Sequence, residues 1–102
     1  MATLTNFQQH VLRCLRRVPR GKVTTYAQLA QAVGKPRAVR AVGNALHVNP
    51  DAPAVPCHRV VRSDGRLGGY ANGVRRKLAL LRQEGVRVEN DNISLTTYLF
   101  TF

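Results

Sequence analysis

The stretch TYAQLAQAVGKPRAVRAVGNALH, Thr25 to His47, decides the fold class. Thr25 followed three residues later by Gln28 fits a capping box, which predicts a helix from Tyr26 to about Val33. Gly34 breaks that helix, and Pro36 suits the first position of the next. The spacing predicts a two-faced helix from Pro36 to about His47. Ala38, Val39, Val42, Ala45 and Leu46 fall on one side; Arg37, Arg40, Ala41, Asn44 and His47 fall on the other. Two helices joined by a short glycine turn, the second with a basic face of small residues, read as a helix-turn-helix. Ala41 and Gly43 would let that face approach a nucleic-acid backbone closely. Alone, the pattern fits an ordinary helix with a solvated face equally well.

The charge balance favours the binding face. The chain has 16 Lys+Arg against 5 Asp+Glu, a formal net charge of +11, and its first 50 residues contain no acid. A polyanion is the simplest partner for such a chain, and nucleic acid the commonest polyanion. No long apolar run or basic amphipathic helix with bulky aromatics points to a membrane. The 102 residues suit one domain, 1–102. Met1 to Thr5 is too short and too polar for a signal peptide, so the expected compartment is the cytoplasm, with Cys14 and Cys57 reduced. No cysteine or histidine pair has zinc-ligand spacing, so neither a metal nor another cofactor is expected.

Outward from the helix-turn-helix, Asn6 is a candidate cap for a helix from Phe7 to about Val18. Phe7, Val11, Cys14, Leu15 and Val18 lie on its inner face, which makes Cys14 a core residue. Pro19-Arg20-Gly21 ends it. Asn49 to Pro56 is a loop with three prolines. His58 to Arg62 is a strand candidate, Ser63-Asp64-Gly65 a turn, and Arg66-Leu67 a returning strand, together a small β-hairpin wing. Gly68 to Gly73 is a loop. A last main helix runs from about Val74 to Glu84, with Val74, Leu78 and Leu81 inward and Gly85 as its stop. Val86 to Phe102 should pack back on the body. The expected class is mostly α with a small β-hairpin wing.

The chemistry centres on Pro56-Cys57-His58-Arg59-Val60. A thiol is reactive as its thiolate, so a base must take its proton or nearby positive charge must favour the anion. His58 and Arg59 are the local candidates. On a strand, adjacent side chains point to opposite faces, so Cys57 and His58 would need a turn or a bridging water. Glu84, in the last turn of its helix, can orient a histidine as the third member of a triad. Tyr26 or Tyr70 can donate to a leaving group, and Tyr70 can wall a pocket for a flat ring. Taken singly, each also fits a structural reading: a buried cysteine, a surface glutamate, tyrosines filling a core.

Together these residues resemble the methylated-DNA–protein-cysteine methyltransferases, the 6-O-alkylguanine-DNA alkyltransferases, in their C-terminal domain. Pro56-Cys57-His58-Arg59-Val60 is similar to the family's active-site motif. Arg40 to Ala45 with Asn49-Pro50 is similar to its recognition helix and hinge. Val23 to Tyr26 with Gln28-Leu29-Ala30 resembles the first helix-turn-helix element, and Gly69-Tyr70 and Leu80 to Gly85 the pocket loop and final helix. The resemblance implies a winged helix-turn-helix-like fold without the N-terminal domain of longer members. It implies stoichiometric DNA repair after nucleotide flipping, with a methyl or larger alkyl group passing from the 6-oxygen of guanine to Cys57. It also implies that His58 takes the thiol proton through a water, that Glu84 holds His58 and that Tyr26 serves the departing guanine. Arg40 would fill the space left by the flipped nucleotide, with Arg37, Ala41, Asn44, Thr24 and Thr25 on the DNA. Asn49 would brace the hinge, while the Val60 backbone, Tyr70 and Ala71 border the pocket. The partner would be double-stranded DNA carrying alkylated guanine, met by a monomer, in the nucleoid if the source is bacterial.

Two rivals come from other classes. Alkyltransferase-like proteins bind alkylguanine and recruit other repair without transfer; a tryptophan commonly replaces their acceptor, against Cys57 here. A winged-helix transcription regulator accounts for the charge but leaves Cys57, His58 and Glu84 without a role.

Overall fold

The computed structural model describes residues 3–102. Among them are five α-helices and a two-stranded sheet, the mostly helical class with a small β element that the sequence predicts. α1 spans Asn6–Leu15. Its cap is Thr5, not Asn6: the Thr5 hydroxyl accepts from the Gln8 N–H and the Gln8 side chain accepts from the Thr5 N–H. Asn6 has Gln9 at the same spacing, but the reciprocal box is made by Thr5 and Gln8. The helix stops at Leu15, short of Val18, and the chain runs on through turns to Pro19. Val11, Leu12, Cys14 and Leu15 are buried, and Cys14 is a free core thiol as expected.

β1, Thr24–Thr25, leads directly into α2, Tyr26–Ala32. The Thr25 hydroxyl accepts from the Gln28 N–H, one half of the expected box; the Gln28 side chain does not return a bond to the Thr25 N–H. Gly34, at φ +77°, closes α2: its N–H reaches the Gln31 carbonyl and the Lys35 N–H reaches the Ala30 carbonyl, a Schellman ending. α3 spans Val39–His47, three residues later than expected at its start. Pro36 takes the second position of a turn closed by the Ala38 N–H on the Lys35 carbonyl, a place its fixed φ favours. The late start leaves Val39 on the surface, while Val42, Ala45 and Leu46 pack inward against α1 and α2.

The expected hairpin is reduced to one closing bond, from the Arg62 N–H to the Arg66 carbonyl. A turn of three residues, Cys57–Arg59, replaces the start of the predicted strand, and β2 is only Val60–Val61. β2 pairs in parallel with β1, Thr24 opposite Val60 and Thr25 opposite Val61. A parallel pair needs a crossover, and the helix-turn-helix with the proline loop supplies it. Ser63 to Gly65 does turn the chain, but the tail takes the returning segment: the Leu67 N–H bonds to the Asp91 carbonyl and the Ile93 N–H to the Gly65 carbonyl.

α4 spans Val74–Gln83, and α5, Leu95–Tyr98, lies in the tail. Gly85, at φ +87°, and Val86 give α4 a second Schellman ending, which sets Glu84 at the helix cap. The inner face of α4 is rotated from the predicted one. Val74 is exposed and Lys77 is fully buried beside Leu81. The tail packs back as expected, its Val86, Val88 and Ile93 forming a second core with Val23, Val61, Leu67 and Leu81. Val23 is clamped between the Tyr98 carbonyl and the Phe100 N–H. No helix among the described residues is long and apolar enough to cross a membrane.

Candidate active site and nucleic-acid interface

The turn at Cys57–Arg59 is what brings the chemistry together. The Cys57 N–H bonds to the Val55 carbonyl and the Arg59 N–H to the Pro56 carbonyl. This winding frees Cys57 and His58 from the opposite-face rule of a strand. Asn49 braces the loop from its far end: its side-chain amide donates to the Val55 carbonyl at 2.9 Å, and its oxygen accepts from the Asp51 N–H. Asn49 therefore grips the backbone two residues before the thiol.

Behind the thiol, His58 is 1% exposed and its Nε2 lies 3.0 Å from Glu84 Oε2. Its Nδ1 is buried with no hydrogen-bond partner. With Nε2–H donating to the carboxylate, Nδ1 is left as a free acceptor. Burial lowers the imidazole below its ordinary range, against the opposing pull of Glu84, so it is neutral at pH 7. A neutral ring with one open lone pair is a base.

Arg59 holds Glu84 in place, a role the sequence reading left unassigned. Its Nε donates to Glu84 Oε1 at 2.9 Å, its Nη2 to Oε2 at 2.6 Å, and its Nη1 to the Val18 carbonyl at 2.8 Å. Burial pushes the Glu84 carboxyl up, but the hydrogen bonds from Arg59 and His58 outweigh it and hold the group below its ordinary value. Glu84 is thus a fixed carboxylate rather than a solvated one.

In front of the thiol is a cavity of about 310 Å³ lined by Tyr26, Gly43, Leu46, His47, Cys57, Gly69, Tyr70 and Ala71. Its size falls at the lower end for pockets that take flat organic ligands. Tyr26 and Tyr70 are both raised, by burial first and by the neighbouring Cys57 sulfur as well, so both are protonated donors at neutral pH. Of the cavity's walls, Tyr70, Ala71, Tyr26 and Cys57 were legible as site residues. Leu46 and His47 face it through the last turn of α3, a register that an amphipathic pattern assigns to core or solvent but not to a pocket.

Arg40, Ala41 and Asn44 are exposed on the outer side of α3, and Arg37 is exposed in the turn before it. Gly43 sits between this face and the cavity. Thr24 and Thr25 do not join them. Both are buried: β1 lies beside β2 in the sheet, and Thr25 spends its hydroxyl on the α2 cap. Val60 is also fully buried, behind the cavity rather than on its wall, with its carbonyl accepting from Lys77 Nζ at 2.6 Å.

Residues 6–86 match the family described as 6-O-methylguanine DNA methyltransferase, DNA binding domain. The chain belongs to that family. It is similar to the bifunctional transcriptional activator/DNA repair enzyme Ada of Escherichia coli, 54% identical over 85 residues, which are 83% of this chain and 24% of Ada. It is also similar to the methylated-DNA–protein-cysteine methyltransferase of Salmonella typhimurium, 53% identical over 81 residues, 79% of this chain and 47% of that one. The chain therefore spans about a quarter to a half of the curated relatives it matches. Among solved structures, Mycobacterium tuberculosis OGT in complex with DNA superposes with a TM-score of 0.78 at 46% identity, covering 80% of this chain and 51% of that one. S. pombe Atl1, in complex with damaged DNA containing O6-carboxymethylguanine, superposes with a TM-score of 0.87 at 28% identity, covering 99% of this chain and all of that one.

Proposed function

We infer that this protein repairs alkylated guanine in double-stranded DNA by moving the alkyl group to Cys57, one group per molecule. The observation that carries this reading is Cys57 on the wall of an open cavity, one residue from a buried His58 whose free Nδ1 is held ready by Glu84. The family membership and the DNA complexes of its relatives support it.

The exposed face of α3 lies on the DNA, with Arg37, Arg40, Ala41 and Asn44 toward it. An alkyl group on the 6-oxygen of a stacked guanine is out of reach, so the nucleotide is extruded into the cavity and Arg40 fills the gap. His58 Nδ1 takes the Cys57 proton through one water. The sulfur attacks the alkyl carbon, the bond from that carbon to the guanine oxygen breaks, and the purine leaves with the electron pair. Tyr26, kept protonated by its burial, donates to the departing ring. The product thioether does not hydrolyse, so the protein is spent. Residues 1–102 act as one unit carrying both DNA binding and the acceptor, as a monomer in the cytoplasm.

With lesion-bearing duplex in excess, lesions removed should level off at one per protein. Turnover well beyond that, or removal none at all, contradicts the reading.

A second reading has its own support: the match to Atl1 runs the length of both chains. On that reading the protein binds alkylguanine and recruits other repair without transfer. Tight lesion binding with an unmodified Cys57 would select it.

A further inference from the structure

The end of α1 carries a ridge of cations that the site does not use. Arg13, Arg16 and Arg17 are exposed, and no acid lies in α1 or anywhere in the first 50 residues. Of the chain's five acids, Glu84 is held by Arg59 and His58, Asp64 by Arg62 and Arg66, and Glu89 by Arg87. Asp91 lies in the tail, and Asp51 shares a shallow groove with Arg13 and Arg16 without pairing with either. The three guanidiniums are left unneutralised on a chain of net charge +11, which repels itself until a partner offsets it.

The ridge is also held in shape. The Arg16 N–H on the Leu12 carbonyl and the Arg17 N–H on the Cys14 carbonyl carry the winding past Leu15. Arg17 lies over the Phe102 ring, 5.4 Å from its centroid, and Phe102 meets Phe100 edge-on at 5.1 Å. Phe100 is tied by its N–H to the Val23 carbonyl. The end of the tail, beyond the residues 6–86 that match the family, thus orders one guanidinium while leaving its N–H fork to solvent. A fork ordered in advance loses less freedom on meeting a phosphate.

Val11, Leu12 and Leu15 point into the core, and at about 3.6 residues per turn Arg13 and Arg17 fall on the opposite side of the winding. Val42, Ala45 and Leu46 of α3 enter the same core, while Arg40 and Asn44 are exposed. The two basic faces look outward on different sides of one core. No large apolar side chain is exposed on α1, so the ridge lacks the anchor that a protein partner would bury. Arg13 and Arg17 are about 6 Å apart along the winding, about two phosphate steps of a duplex strand.

We propose that the α1 ridge is a second DNA surface: one molecule holds two duplex segments, one on α3 and one on Arg13, Arg16 and Arg17. A repair protein so built passes from segment to segment without leaving DNA. This rests on the reading of α3 as a duplex-binding face.

The experiment counts duplexes per protein by sedimentation, with a short fluorescent lesion-free duplex in excess at low salt. Two duplexes per monomer are expected. If each arginine neutralises one phosphate, the second should bind with a salt slope of about 2.7 in magnitude, about fortyfold weaker at about 200 mM than at about 50 mM. Arg13→Gln, Arg16→Gln and Arg17→Gln together should leave one duplex per protein. Arg13→Gln with Arg16→Gln, which keeps the Phe102 stack, should cut the slope of the second site to about 0.9. Phe102→Leu keeps every charge and should weaken the second duplex about two- to fivefold. One duplex per parent protein, or two retained in the triple variant, overturns the proposal. Poly-glutamate held at the ridge more tightly than duplex overturns it in favour of an acidic protein. If no duplex binds at all, the α3 reading fails as well; if a single duplex binds and is weakened by Lys35→Gln with Arg37→Gln, only the second surface fails.

Discussion

Removing the Glu84 carboxylate should cost far more than removing a surface acid. Its side chain is 9% exposed, against 15% for Arg59 and 1% for His58. It takes two hydrogen bonds from Arg59 and one from His58. Truncating one member of a buried pair leaves the other charge unmatched, about 3–5 kcal/mol. Arg59 keeps its bond to the Val18 carbonyl and some access to water, so Glu84→Ala belongs at the lower end, about 3 kcal/mol. For a domain of this size that is a fall of roughly 12–24 °C in Tm. Glu84→Gln keeps the shape and one acceptor, so it should lose only about 1.5–3 kcal/mol. The acid limb separates the two effects further. Because the folded Glu84 pKa is depressed, its stabilisation is complete above the unfolded value of about 4.3 and is lost as pH falls through the folded value. Glu84→Gln should lack that limb. Thermal unfolding by circular dichroism, repeated across pH, reads all of this. A loss under about 1 kcal/mol for Glu84→Ala, the range of exposed pairs, would refute the buried-pair argument.

Three further outcomes follow from the same geometry. Cys57→Ser should abolish transfer yet bind lesion-bearing duplex nearly as the parent does, measured by fluorescence anisotropy; lost binding would contradict the separation of thiol from DNA face. Arg40→Ala should slow transfer on duplex DNA much more than on a single strand, since only the duplex has a gap to fill, and equal slowing would count against its insertion. If Lys35 and Arg37, both exposed in the turn before α3, each neutralise one phosphate, log Kd should vary with log salt with a slope of about 1.8 in magnitude, and a flat response would remove the electrostatic argument.

The sequence disclosed the site better than the strands. Thr25 and Gly34 announce the ends of α2 because capping and left-handed closure are local events. Cys57, His58 and Glu84 were legible from residue type and resemblance, and the helix closure at Gly85 explains why Glu84 arrives at a fixed place. The expected hairpin closes only through the Arg62 N–H on the Arg66 carbonyl; beyond it the returning segment bonds to the tail, and pairing across such separation leaves no local signal. Nothing near Thr24 and Thr25 in sequence reveals that they are buried beside β2 rather than free to reach DNA. Lys77 was passed over because a lysine in a helix reads as solvated; only the Val60 and Gly69 carbonyls, brought in from elsewhere, make its burial possible. Arg59 likewise has neighbours on both sides in the motif but finds its partners at Val18 and Glu84.

Every step of the proposed repair depends on Cys57 as the alkyl acceptor. Intact mass followed by peptide mapping, after incubation with duplex DNA carrying 6-O-methylguanine, tests it directly. One added methyl group on the peptide holding Cys57, with Cys14 untouched, is the predicted result. Unmodified protein that still holds the lesion tightly would contradict it and leave a recognition protein in its place.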